Sequence, residues 1–194
     1  MKAHRTAARS IGILMLAAFF LYGIGTSVAI TATAGSAPLV IGVGMMLLNT
    51  LAVIAIGILM YPIVRPHSAI VAGGYLTTRL FEGTLLAIGA TALLTGAAAI
   101  NTLAYNIAMA GLGIGSLFFC VVLYRARLVP RFLAAWGFIG YAAFASGCVL
   151  EIVGVAGAGI PATIPGGLFE LAFAGWLLVR GFASRSSAPV AVNA

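Results

Sequence analysis

Six long apolar stretches, at residues 10–30, 39–64, 68–95, 102–124, 131–153 and 162–182, decide what this chain can become. Each matches the ~20 residues that an α-helix needs to cross the hydrocarbon core of a bilayer. In hydrocarbon every backbone N–H and C=O must find its partner within the protein, which a helix achieves within one segment. Charged residues occupy only 7% of the 194 positions and hydrophobic ones 63%, whereas a soluble domain carries about a quarter charged residues. So few charges cannot coat a water-facing surface of this size, which leaves lipid as the main solvent. The expectation is all-α: an integral membrane bundle of six transmembrane helices forming one domain over 1–183, with a disordered cytoplasmic tail at 184–194.

Proline placement supports these boundaries. Pro38, Pro62, Pro66, Pro130, Pro161 and Pro165 fall at or near predicted helix ends, where the missing N–H does least harm. Tyr61, Tyr75, Tyr105, Tyr124 and Trp136 fall near those ends too, as interfacial aromatics do. The basic N-terminus and Ser27-Val28-Ala29 imitate a cleavable signal, but the apolar run over 11–30 exceeds the ~7–15 residues of a signal core, so it reads as the first helix. Lys2, Arg5 and Arg9 precede helix 1, Arg65 lies between helices 2 and 3, Arg125, Arg127 and Arg131 lie between helices 4 and 5, and Arg180 and Arg185 close helix 6. The alternate loops contain no Lys or Arg, so the positive-inside rule puts both termini in the cytoplasm.

The net charge of +7 reflects a shortage of acids: there is no Asp and only three Glu. A nucleic-acid partner is not expected, because the arginines are scattered between apolar runs and form no basic patch on a soluble face. Cys120 and Cys148 lie at depths too different for a disulfide and read as small buried apolar residues. His4 and His67 have no metal-ligand spacing, and no hydrolase, zincin or phosphate-loop motif appears, so no metal and no cofactor is expected. With so few acids, an enzyme is the less favoured reading. Gly111 and Gly115 stand at the spacing that lets helices approach closely in lipid. Leu80-Phe81-Glu82 recurs as Leu168-Phe169-Glu170 in a helix of opposite direction; three residues are a thin basis for an inverted repeat.

Glu82, Glu151 and Glu170 all fall within predicted helices, where a charge costs at least ~2.5–3.5 kcal/mol at the bilayer centre. Each should therefore face the bundle interior, find a partner or carry a proton. Arg79 precedes Glu82 by three residues and shares its helix face. By helical rise, Glu170 and Asn49 lie ~12 and ~15 Å below the outer helix ends, Glu82 lies deeper, and Glu151 and Asn106 lie near the outer mouth. If they converge, Arg79, Glu82, Glu170, Asn49, Glu151 and Asn106 would line an outward pocket with Arg79 at its floor. For Arg79 and Glu82 themselves, an ion pair that merely fixes helix packing is the favoured account.

Three blocks carry a family likeness: Tyr75-Leu76-Thr77-Thr78-Arg79-Leu80-Phe81-Glu82-Gly83, Tyr124-Arg125-Ala126-Arg127-Leu128-Val129-Pro130-Arg131, and Phe169-Glu170 through Trp176-Leu177-Leu178. On these the chain resembles the bacterial domain-of-unknown-function family 4386. The resemblance implies a small multi-pass protein of the bacterial cytoplasmic (inner) membrane and brings no activity or catalytic residue with it. Three roles stay open. The first is binding or transport of a small solute or proton through the intramembrane polar residues. The second is assembly as a homo-oligomer or with a membrane partner through Gly-rich faces. The third is an enzyme acting on lipid, with Arg125, Arg127 and Arg131 touching anionic headgroups.

Overall fold

The computed structural model describes residues 2–183, with side chains from residue 5 onward; the expected tail at 184–194, with Arg185, and the side chains of Lys2 and His4 lie outside the described residues. Six helices make up the fold: α1 (Lys2–Thr31), α2 (Ala37–Val64), α3 (Ala69–Leu93), α4 (Ala98–Arg125), α5 (Arg131–Ile152) and α6 (Gly159–Val179). Five of them, all but α3, are long and apolar enough to cross a membrane. Arg79, Glu82 and the threonines of α3 lower its apolar content, although at 25 residues it is longer than α5 and α6, with 22 and 21.

Local chemistry explains the ends. Ser36 and Ser68 cap α2 and α3, their hydroxyls accepting from the N–H of Leu39 (3.5 Å) and Val71 (3.3 Å). Pro38 sits in the first turn of α2, where no helical hydrogen bond is lost. Helix α1 begins well before the apolar run, because nothing in its Ala- and Arg-rich opening breaks a helix. Pro165, expected at an end, instead lies inside α6, since that helix starts three residues earlier than the apolar pattern suggests. Helix α6 stops at Val179, where Gly181 turns the chain with φ 71° and the N–H of Ala183 donates to the carbonyl of Leu128 (2.9 Å).

Sequential helices pack side by side, and α6 returns to pack on α1, so the six form a closed ring of alternating direction. The α1–α6 seam is the sparsest of the six contacts. Glycines bring the helices close: a Cβ on Gly140 would meet Gly166 of α6 at 2.9 Å, and Gly111 and Gly115 lie directly under Phe81 and Thr78 of α3. The Gly111–Gly115 pair therefore serves packing inside the chain. Cys120 and Cys148 are both buried and free.

Candidate intramembrane site

The arginines gather at one end of the ring and the loops without them at the other. Between them, and displaced toward the end without arginines, lies a cavity of about 270 Å³ walled by residues from all six helices. An aromatic layer lies beneath it. Phe119 of α4 stacks on Tyr75 of α3 (centroids 4.3 Å) and meets Phe173 of α6 edge-on (6.3 Å), while Phe169 stacks on Phe173 (5.5 Å). Above it, Tyr22 of α1 stacks on Tyr105 of α4 (5.4 Å, 18° between planes), joining helices that face each other across the ring. Rings from non-adjacent helices thus meet across the lumen both above and below the charged level.

Charged side chains occupy the level between. Arg79 and Glu82 are one helical turn apart on the inward face of α3. Arg79 donates from Nε to the Tyr75 hydroxyl (2.9 Å) and from Nη1 to Glu82 Oε2 (2.9 Å). Its Nη2 lies 3.8 Å from Glu170 Oε1 of α6, near enough for charge pairing and too far for a hydrogen bond. Tyr141 of α5 donates its hydroxyl to that same Glu170 oxygen (2.8 Å). The Arg79 and Glu82 side chains are 4% exposed and that of Glu170 27%, so Glu170 is the reachable member. Asn49 of α2 also lines the cavity; it is 3% exposed and makes no hydrogen bond among the described residues. One guanidinium thus faces two carboxylates, and a buried amide has hydrogen-bonding capacity to spare.

Four of the six residues singled out in the sequence meet here: Arg79, Glu82, Glu170 and Asn49. Glu151 and Asn106 do not line this cavity. Glu151 reaches across the α5–α6 loop and accepts from the N–H of Gly159 (2.9 Å) and Gly157 (3.3 Å), capping the start of α6. Asn106 donates to the Thr102 carbonyl one turn back (3.0 Å), beside the same loop glycine. The pocket expected from all six residues is therefore smaller, and its outermost two members hold a loop.

Tyr75 and Tyr105, expected among the interfacial aromatics, instead stack below and above the charged level. Tyr141 was not foreseen. Its position ten residues into α5 was the available signal, because a tyrosine deep in a span needs a partner for its hydroxyl. At the basic end, Arg127, which adopts φ 53°, lines a second cavity of about 1120 Å³ with Arg5, Arg180 and His67. Arg131 lies over the Tyr124 ring (5.1 Å), away from that cavity. No cluster of metal-ligating side chains occurs among the described residues.

A family model described as Domain of unknown function (DUF4386) matches residues 90–181, just under half of the chain. The match takes in α4, α5 and α6 with the Tyr124–Arg131 and Phe169–Leu178 blocks, and supports the resemblance drawn from them; the Tyr75–Gly83 block lies outside it. Comparisons with curated proteins and with solved structures gave no match.

Proposed function

We propose that this chain is a multi-pass protein of a bacterial cytoplasmic membrane whose central cavity binds a small solute or a proton through Arg79, Glu82, Glu170 and Asn49. The observation that carries this reading is one guanidinium set against two carboxylates inside a cavity bounded by every helix of the bundle. A pair that served packing alone would be complete with Arg79 and Glu82. Glu170 adds a second carboxylate, partly reachable, that leaves the level one negative charge in excess when both acids are ionised.

In this reading α3 is the sixth span: its ~37 Å of helix is long enough, and its charges turn inward. Both termini and the α2–α3 and α4–α5 loops are cytoplasmic, because they carry the arginines. The cavity then lies toward the outer leaflet. Arg125, Arg127 and Arg131 would contact anionic headgroups at the cytoplasmic surface. Lateral assembly through Gly-rich faces is the weaker reading, since Gly111 and Gly115 are already covered by α3.

The test is reconstitution into liposomes loaded with a pH-sensitive dye, alongside a screen for solutes that raise the unfolding temperature. Wild-type protein should show proton flux or a ligand-dependent shift, and Glu170→Gln should reduce either by tenfold or more. A silent wild-type protein, or Glu82→Gln and Glu170→Gln both indistinguishable from it, would overturn the proposal.

A further inference from the structure

The wall of the cavity is incomplete on one side. Phe19 and Gly23 of α1 line the cavity and are also exposed on the outer surface of the ring, Phe19 by 45%. Both belong to the α1–α6 seam, which changes character along its length. Toward the basic end it is tight: a Cβ on Gly12 would meet the Ala174 carbonyl oxygen at 2.8 Å. Beside the cavity, a Cβ on Gly167 of α6 would touch only the Phe19 ring, at 3.8 Å, and one on Gly23 would touch nothing. Gly167 lies ~12 Å along α6 from its outer end, at the depth of acyl chains. The surface around this gap is apolar, with Phe20, Ile24, Ile164 and Leu168 each about half exposed.

From this gap, and on the binding role proposed above, we infer that the cavity takes a lipophilic amine that arrives from the outer leaflet between α1 and α6. The charge excess selects a cation. Arg79 is already engaged by Tyr75, Glu82 and Glu170, so an anion would have to displace one of them. Glu170 and the unpartnered Asn49 amide remain to receive an ammonium group. The walls decide what the cation is attached to. An inorganic cation wants six or more oxygens, whereas this cavity is mostly side chains such as Ile56, Leu86, Met109 and Phe144. An ammonium with an apolar body satisfies both, and the Tyr105 ring at the roof adds a cation–π surface. At the ~30 Å³ that a water takes in the liquid, the space suits roughly nine non-hydrogen atoms.

Full-length protein in nanodiscs would be titrated with three near-isosteres: 2-phenylethylamine, 2-phenylethanol and phenylacetate. The amine should bind at least tenfold more tightly than the alcohol, phenylacetate should not bind, and Glu170→Gln should bring the amine down to the level of the alcohol. Stopped-flow association of the amine should slow at least fivefold in Gly167→Leu and stay unchanged in Gly175→Leu, whose Cβ meets open space. Thr163→Phe serves as the obstructing variant if Gly167→Leu does not fold. Equal binding of amine and alcohol, or tighter binding of phenylacetate, would overturn the amine and leave a binding cavity standing. Amine selectivity with rates indifferent to both obstructing variants would overturn the lateral route. Absence of binding by all three probes overturns this inference, and only if proton flux is also absent does the proposed function fail with it.

Discussion

Two levels of the bundle, one below the aromatic rings around Phe119 and one above them, are built from the same apolar helices, yet the lower is filled and the upper is hollow. The cavity of about 1120 Å³ at the arginine-bearing face lies beyond the filled level. In the filled level Met60, Leu123, Leu177 and Phe173 are at most 1% exposed, and Phe173 packs on both Phe119 and Phe169. One turn further on, the same six helices separate around Arg79, Glu82 and Glu170. The difference shows what holds a bundle like this together. In lipid there is little hydrophobic gain from closing helices upon each other, so contact follows shape and polar satisfaction. Sealing the charged level with apolar side chains would leave a carboxylate against hydrocarbon, and the structure instead keeps room beside it.

The largest effect should come from the residue at the junction of the two levels. Arg79→Met would leave the buried Glu82 carboxylate and the partly exposed Glu170 without their cation, and removing one partner of a buried pair typically costs ~3–5 kcal/mol. Unfolding by SDS titration in mixed micelles should show a loss of that order. The triple variant with Glu82→Gln and Glu170→Gln should recover more than half of it. A loss below ~1 kcal/mol would show that the charges are not what separates filled from hollow.

Next comes a matched truncation in each region. Phe119→Ala opens ~100 Å³ in the filled level, worth about 2 kcal/mol at ~24 cal/mol per Å³ of unrefilled space. Met109→Ala, whose side chain already borders the cavity, should cost less than half as much, because fewer contacts are there to lose. Equal costs would mean that both levels are packed alike. Gly12→Ala tests the filled level from the opposite direction. Its new methyl meets a backbone carbonyl that cannot move alone, and such overpacking typically costs ~1–3 kcal/mol.

The acids were legible in the sequence as a group but not as a site. Apolar runs of ~20 residues gave six helices, because in lipid the backbone has little alternative. The expense of buried charge marked all three glutamates. Depth along an axis could be read off by counting residues, and it set Glu82 and Glu170 deeper than Glu151. Rotation about the axis could not, because α2 and α5 are apolar all round and carry almost no amphipathic signal. That Tyr141 needed a partner could be read from its depth in α5, but that the partner is Glu170 could not. Nor could the role of Glu151, whose partners are loop N–H groups that leave no pattern in side-chain chemistry. That contrast is itself testable. Glu151→Ala should lower stability by loosening the α5–α6 loop and leave binding in the cavity unchanged, whereas Glu170→Gln should weaken binding and leave that loop unchanged.

The smallest effect should be the sharpest test of hollowness. Gly167 occupies the same seam as Gly12 but beside the cavity, and a methyl there reaches only the Phe19 ring, at ordinary contact distance. Alanine also favours the helix over glycine by up to ~1 kcal/mol. Gly167→Ala should therefore be neutral or slightly stabilising in the same SDS titration in which Gly12→Ala is harmful. The same atom added twice to one seam would then have opposite signs at its two ends. If Gly167→Ala proved as costly as Gly12→Ala, the seam would have to be closed along its whole length, and the comparison between a filled level and an open one would fail at its narrowest point.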